Sequence, residues 1–418
     1  MDNDFSLNDV FRAKVSKLKD YRSKAEADCG IMYSTGYLSF DFLNGQVVHI
    51  KSDKLDVEKY YSVGLGDGSL NTFIGRSGCG KSTLAESMAA NIVRSFPNAM
   101  IYEDQVEATG MTDERRQSLS GFYGEEYTKR YNIRNSGITA ENFYERIKII
   151  HDLKLANREE LEYDTGLYDT IGNKIYKLQP TVFILDSLAM LMPEKFTTED
   201  DLSGSMSASA SAKVIAGIFR RIVPMLKAAN IILFVINHIN HAISINPMLH
   251  EKSQLQFLKQ GETLPGGNTP VYVSTNVLRL DDHSKMKDTE GFYESGNLVD
   301  VTLVKSRTSS VGRKVTLVYT YERGFDKELS LFLMLKQYGH VNGAGAYLYI
   351  DDYDKVKFAQ KNFKKILKEN EEFRQVFMNA VFDVLTNDII IDNYVETEAE
   401  DTTIDITSQL LSRIQIAA

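Results

Sequence analysis

Residues 75–82 read Gly75-Arg76-Ser77-Gly78-Cys79-Gly80-Lys81-Ser82 and complete the pattern G-x-x-x-x-G-K-[ST]. Glycines at these positions let successive backbone N–H groups turn inward around a phosphate. The short apolar stretch Leu70–Ile74 precedes the loop, and a helical run beginning Thr83-Leu84-Ala85-Glu86 follows it. A strand, a phosphate loop and a helix in that order predict an α/β domain that binds a nucleoside triphosphate. Residues 76–83, Arg76, Ser77, Gly78, Cys79, Gly80, Lys81, Ser82 and Thr83, are the expected nucleotide contacts. Lys81 reaches the terminal phosphates and Ser82 ligates Mg²⁺.

Continuous apolar strands recur downstream, at Thr181–Asp186 and Ile231–Ile236, with a helical pattern between them from Val214 to Leu226. Further strands are expected at about 271–280, 299–304 and 314–321, and a charged helix at about 354–384. Fully apolar strands alternating with helices imply a mainly parallel sheet covered on both faces. Leu7, Val10, Phe11, Val15 and Leu18 recur at helical spacing and predict a short amphipathic helix near the start. Two long segments read as loops: about 196–212, rich in Thr, Ser, Gly and Asp, and about 242–268, mostly irregular with Gly261, Gly266 and Gly267.

The chain has 418 residues, a formal net charge of −9 and only two cysteines, Cys29 and Cys79. That excludes a disulfide framework and a generally basic nucleic-acid coat, but not a local basic groove. No apolar run reaches bilayer length and the first residues carry no leader pattern, so no membrane association and a cytoplasmic location are expected. Acidic residues gather at Glu396-Thr397-Glu398-Ala399-Glu400-Asp401.

Phosphoryl transfer needs metal placement, an oriented water and charge stabilisation. Asp186 ends an apolar strand downstream of the phosphate loop, the position of an acid that holds the Mg²⁺ shell. The strand from Ala99 runs into Glu103, Asp104 and Glu107. Their chemistry alone does not rank them as the water-activating group. Asn237-His238 ends another strand, where a parallel sheet presents side chains to ligand.

Five segments resemble the RecA recombinases, most closely the bacteriophage UvsX-like branch. They are Ser34–Asp41, Phe183–Leu191, Val235–His238, Pro265–Tyr272 and Val304–Thr308. The resemblance implies a RecA-like P-loop ATPase core at residues 34–340. It also implies an N-terminal oligomerisation segment at 1–33, and a small C-terminal helical region with an acidic tail at 341–418. Anchored on Pro97, it puts the catalytic glutamate on Glu107; anchored on Tyr102, the same position falls on Gln105. The adenine-stacking tyrosine of the family is absent, and Arg116 is the expected substitute. Residues between 117 and 180 are longer than the family pattern. The two loops become DNA-binding loops, with Ser205, Ser207, Lys213, Lys252, Lys259, Gly266, Gly267 and Asn268 as contacts. His238 reports the γ-phosphate, while Lys305 and Arg307 act on ATP in the adjacent subunit. ATP and Mg²⁺ are the implied cofactors. Single-stranded DNA, homologous duplex DNA, further copies in a helical filament, and single-strand-binding and mediator proteins are the implied partners. A ring-forming helicase-type motor of the same core and a nucleotide-binding scaffold without useful hydrolysis are the competing readings. The location implied by a phage protein is the cytoplasm of a bacterial host.

Overall fold

A computed structural model describes residues 30–53, 55–107, 111–197, 205–241, 255–286 and 296–392, with side chains left aside at 205–209 and 241. The expected amphipathic helix at 6–20, the acidic tail, Lys252 and the side chains of Ser205 and Ser207 lie outside the described residues.

Nine strands form the central sheet: β1 (Leu70–Gly75), β2 (Ile101–Gln105), β3 (Tyr131–Arg134), β4 (Thr181–Asp186), β5 (Ile231–His238), β6 (Asn276–Lys285), β7 (Gly296–Ser306), β8 (Lys314–Thr320) and β9 (Gly324–Asp326). Their spatial order is β9-β8-β7-β6-β1-β5-β4-β2-β3. The six from β6 to β3 are mutually parallel. β7, β8 and β9 continue the sheet antiparallel.

β4 and β5 alternate their side chains between two covered faces, which is why residues 182–185 and 231–236 are continuously apolar. Ile232, Phe234 and Ile236 of β5 join Val182 and Ile184 of β4 on one face, against Leu84, Ala85 and Met88 of α1 (Lys81–Arg94). Ile231, Leu233 and Val235 point the other way. They meet Phe143, Ile147 and Ile150 of α2 (Ala140–Ala156) and Phe219, Ile222 and Leu226 of α3 (Ser205–Ala229). All these side chains are buried.

Three stretches differ from expectation. The first expected loop is helical from Ser205, because the run of Ser and Ala there is compatible with extending α3. Residues 269–273 form one helical turn before β6, started by Pro270 near its N-terminus. The C-terminal region is not wholly helical: Val341–Asn342, Leu348–Ile350 and Tyr353–Phe358 form a three-stranded sheet, and helices resume at Phe363–Glu369 and Glu371–Val384. Alternation in Lys355-Val356-Lys357-Phe358 favours the strand.

The extra length between 117 and 180 includes a hairpin, Glu162–Tyr168 with Lys174–Leu178, that packs against a second hairpin, Gln46–His49 with Lys59–Ser62. Among the described residues, no helix is long and apolar enough to cross a membrane.

Candidate nucleotide site

The parallel strands bring their C-terminal ends to one edge. His238 lies level with Gly75, and Asp186 lies beside Ile236 and Gln105. This is the crevice where open α/β sheets hold ligands. Gly78 and Gly80 adopt φ of +82° and +84°, a region closed to most L-residues. Gly80 also has no room for a side chain, since a Cβ there would stand 3.0 Å from the Phe325 ring. Lys81 is buried and its Nζ donates to the Gly75 and Arg76 carbonyls at 3.1 and 2.8 Å. The ammonium is thus held inside the loop, over the space the backbone surrounds. Cys79 is buried and burial raises its thiol pKa, so it is a packing residue with little thiolate character.

Asp186 is buried. Burial raises its carboxyl pKa, the Ser82 hydroxyl opposes that by hydrogen bonding, and the Glu107 carboxylate adds to the rise. Ser82 and Asp186 therefore meet directly. A hydroxyl and a carboxylate side by side at the phosphate loop fit Mg²⁺, which takes one or two protein ligands and completes its shell with water and phosphate oxygens.

The three candidate acids separate cleanly. Asp104 faces α2 and is ion-paired with Arg146. Glu103 faces α1, fully buried, and accepts from the Tyr131 hydroxyl at 2.7 Å. Beyond β2 the chain turns, Val106 N–H donates to the Asp186 carbonyl at 2.6 Å, and Glu107 enters the crevice. Glu107 Oε1 accepts from Ser187 Oγ at 2.5 Å and lies 2.7 Å from His238 Nε2. Partial burial favours the neutral acid, but the bonds to Ser187 and His238 outweigh it and hold the carboxyl below its ordinary pKa. Glu107 is a carboxylate at neutral pH.

Arg116 requires a correction. It lies in α4 (Asp113–Ser120) and is only 2% exposed. Its guanidinium lies 3.4 Å from Glu86 of α1 and 3.8 Å from Glu103 of β2. Enclosed by two buried carboxylates, it presents no face to a base. The partner Glu86 lies thirty residues earlier, a separation that no local pattern exposes. Aromatic residues that the sequence reading missed line the phosphate loop instead: Tyr319 and Phe325 pack with ring centroids 4.9 Å apart and planes inclined at 56°, both near Gly80. Ser187, which fixes Glu107, was also missed as a site residue.

Of the expected DNA-contacting residues, Lys213, Gly266, Gly267 and Asn268 lie at the ends of the loops and Lys259 within the second. Lys213 and Lys259 are exposed. Gly266 and Gly267, each at φ +79°, approach Leu188 and Ala212; a Cβ on Gly266 would stand 2.9 Å from Leu188 Cγ. Asn268 follows at the start of the helical turn. The turn after Asp186, the start of α3 and the end of the second loop therefore converge. Asn237, beside His238, donates through Nδ2 to the Pro265 carbonyl at 2.9 Å. Lys305 and Arg307 lie away from the phosphate loop. Lys305 pairs with Val277, which is level with Thr72, so the two cations sit toward the opposite end of the strands from their own phosphate loop.

No family model matches the chain. Curated relatives include the RecA protein of Mannheimia haemolytica, 27% identical over 194 residues, covering 46% of this chain and 48% of that protein. RecA of Chlorobaculum tepidum is 23% identical over 210 residues, 49% of this chain and 55% of that protein. RecA of Rubrobacter xylanophilus is 22% identical over 205 residues, 48% and 54% respectively. The chain spans about half the length of the curated relatives it matches. With this similarity, the phosphate loop and the nine-stranded, mostly parallel sheet identify the core of this chain as RecA-like.

Proposed function

We propose that the protein is an ATP-dependent homologous-recombination protein of the phage UvsX-like kind, which polymerises on single-stranded DNA and promotes exchange with a homologous duplex. The observation that carries this reading is the convergence of Lys81, Ser82, Asp186, Glu107 and His238 at one sheet edge, joined through Asn237 to the root of the second long loop.

The loop N–H groups and Lys81 hold the triphosphate. Ser82 and Asp186 would hold Mg²⁺, which would supply neutralisation of charge on the phosphate oxygens. Glu107 orients and polarises the attacking water; Ser187 and His238 both meet Oε1, which leaves Oε2 for that water. His238 meets the γ-phosphate, and Asn237 relays its position to Pro265. Lys305 and Arg307 complete the charge stabilisation from an adjacent copy, since they sit away from their own phosphate loop. Nucleotide at the junction between copies then favours the assembled state, and hydrolysis reverses it. The loops at about 196–212 and 242–268 take up DNA, with single-strand-binding and mediator proteins as further partners.

Phosphate release by the purified protein, with and without single-stranded DNA, tests the reading together with electron micrographs. DNA-stimulated hydrolysis and extended filaments are expected. Closed rings would transfer the site to a helicase-type motor. Nucleotide binding without turnover would leave a scaffold.

A further inference from the structure

Lys305 has a second set of partners. Its Nζ donates to three backbone carbonyls, Val271 at 2.9 Å, Tyr272 at 2.6 Å and Ser274 at 2.9 Å. An ammonium has three N–H bonds, so these partners saturate it. The carbonyls end the single helical turn Thr269–Val273, which closes the second loop. One turn of helix is not stable alone, and a cation at its C-terminal end stabilises it. Arg307 is exposed and reaches the same cage only through a 3.4 Å contact to the Tyr272 carbonyl. Burial and the neighbouring Arg307 charge bring the Lys305 pKa down to about 8, so the ammonium gains by finding an anion.

The near end of the same root is held differently. Asn237, next to His238, is bonded to Pro265, six residues before Val271. One anchor of the loop therefore belongs to the strand that meets the protomer's own nucleotide. The other belongs to a cation facing away from it.

We propose that Lys305 is a two-position lock: in the lone protomer it caps the turn 269–273, and in the assembly it leaves those carbonyls for the phosphates of the neighbour's nucleotide, releasing the second loop to take up DNA. The two positions exclude each other because the same three N–H bonds serve both. The loop root then reads two nucleotides, its own through Asn237 and the neighbour's through Lys305. This inference rests on the trans role proposed above.

Anisotropy of a labelled single-stranded oligonucleotide, with no nucleotide and with a slowly hydrolysed ATP analogue plus Mg²⁺, tests it on the full chain. Lys305→Gln loses the lock and should raise nucleotide-free DNA affinity by about fivefold or more, shrinking the nucleotide effect by a similar factor. Lys305→Arg keeps a cation for phosphate, but its planar fork does not fit three carbonyls arranged around a point. It should raise nucleotide-free affinity while retaining more turnover than Lys305→Gln. Reduced turnover with unchanged nucleotide-free affinity in both variants would overturn the lock and leave an ordinary catalytic cation. If the wild-type protein binds no DNA in any nucleotide state, the proposed function fails. The lock is then decided by hydrogen exchange at the Tyr272 and Ser274 amides, without DNA or nucleotide. Faster exchange in Lys305→Gln supports it, and equal exchange overturns it.

Discussion

Glu107 and His238 face each other across the crevice, with Oε1 2.7 Å from Nε2. The acid proposed to ready water and the residue proposed to meet the γ-phosphate are thus in direct contact. Glu107→Gln preserves the shape of this contact and removes the charge. Turnover should fall by about 10²- to 10⁴-fold, the range for losing a general base. ATP affinity should change little, because the phosphates are held by the loop and Lys81. Phosphate release and equilibrium nucleotide binding, measured side by side, check this. Retained turnover would remove Glu107 from its proposed role.

Asn237→Ala removes the bond to the Pro265 carbonyl. The ratio of DNA-stimulated to unstimulated hydrolysis should drop about fivefold or more, the lower end of ordinary site-to-site coupling. A ratio equal to wild type would show that the loop root does not depend on this strand.

Arg116→Met leaves Glu86 and Glu103 buried together without their cation. Breaking such a cluster from one side costs about 3–5 kcal/mol, whereas replacing all its charges is far less damaging. Denaturant titration should show a large loss for Arg116→Met and recovery of most of it in the triple variant Arg116→Met, Glu86→Gln, Glu103→Gln. Equal stability of the single and triple variants would count against a charge cluster as the cause.

Asp41 supplies a pH signature. Burial raises its carboxyl pKa to about 6, despite hydrogen bonds from Ser34 Oγ and from the Thr35 amide and hydroxyl. The folded chain therefore holds this proton more tightly than the unfolded chain, whose aspartates titrate near 4. The stabilisation is complete below about pH 4 and is lost as pH rises through about 6. Unfolding free energies of wild type and Asp41→Asn should change relative to one another by about 3 kcal/mol between pH 4 and 7, with wild type losing ground as pH rises. A constant difference over that interval would mean that Asp41 ionises as freely in the fold as outside it.

What could be read from the chain depended on how local the cause was. The phosphate loop and the strand ending in Asp186 are contiguous signals, and both occur at the expected places in the sheet. Glu103, Asp104 and Glu107 could not be separated by chemistry because their facing is decided by strand alternation followed by a turn. That turn is held by the carbonyl of Asp186, far away in sequence. Arg116 was misassigned for the same reason, since both of its buried carboxylates, Glu86 and Glu103, come from other elements, and Asp113 on its own helix is exposed. Ser205 begins a helix although Ser and Gly around it suggest a loop, and Tyr353–Phe358 is a strand within a region otherwise rich in helical residues. At Tyr353–Phe358, strand pairing decided what propensity left open.

The reversal of strand direction at β7 has a consequence for how copies can join. It carries Lys305 and Arg307 away from the edge where the parallel strands deliver the phosphate loop, so the protomer has two unlike poles. A two-fold pair would repeat each contact reciprocally and close at two copies. A heterologous, head-to-tail contact would instead set the cations of one copy against the phosphates of the next, as the proposed role of Lys305 and Arg307 requires of a filament. Such a contact repeats until it closes on itself or runs on without end. In the proposed filament, polarity would thus follow from the sheet of a single chain.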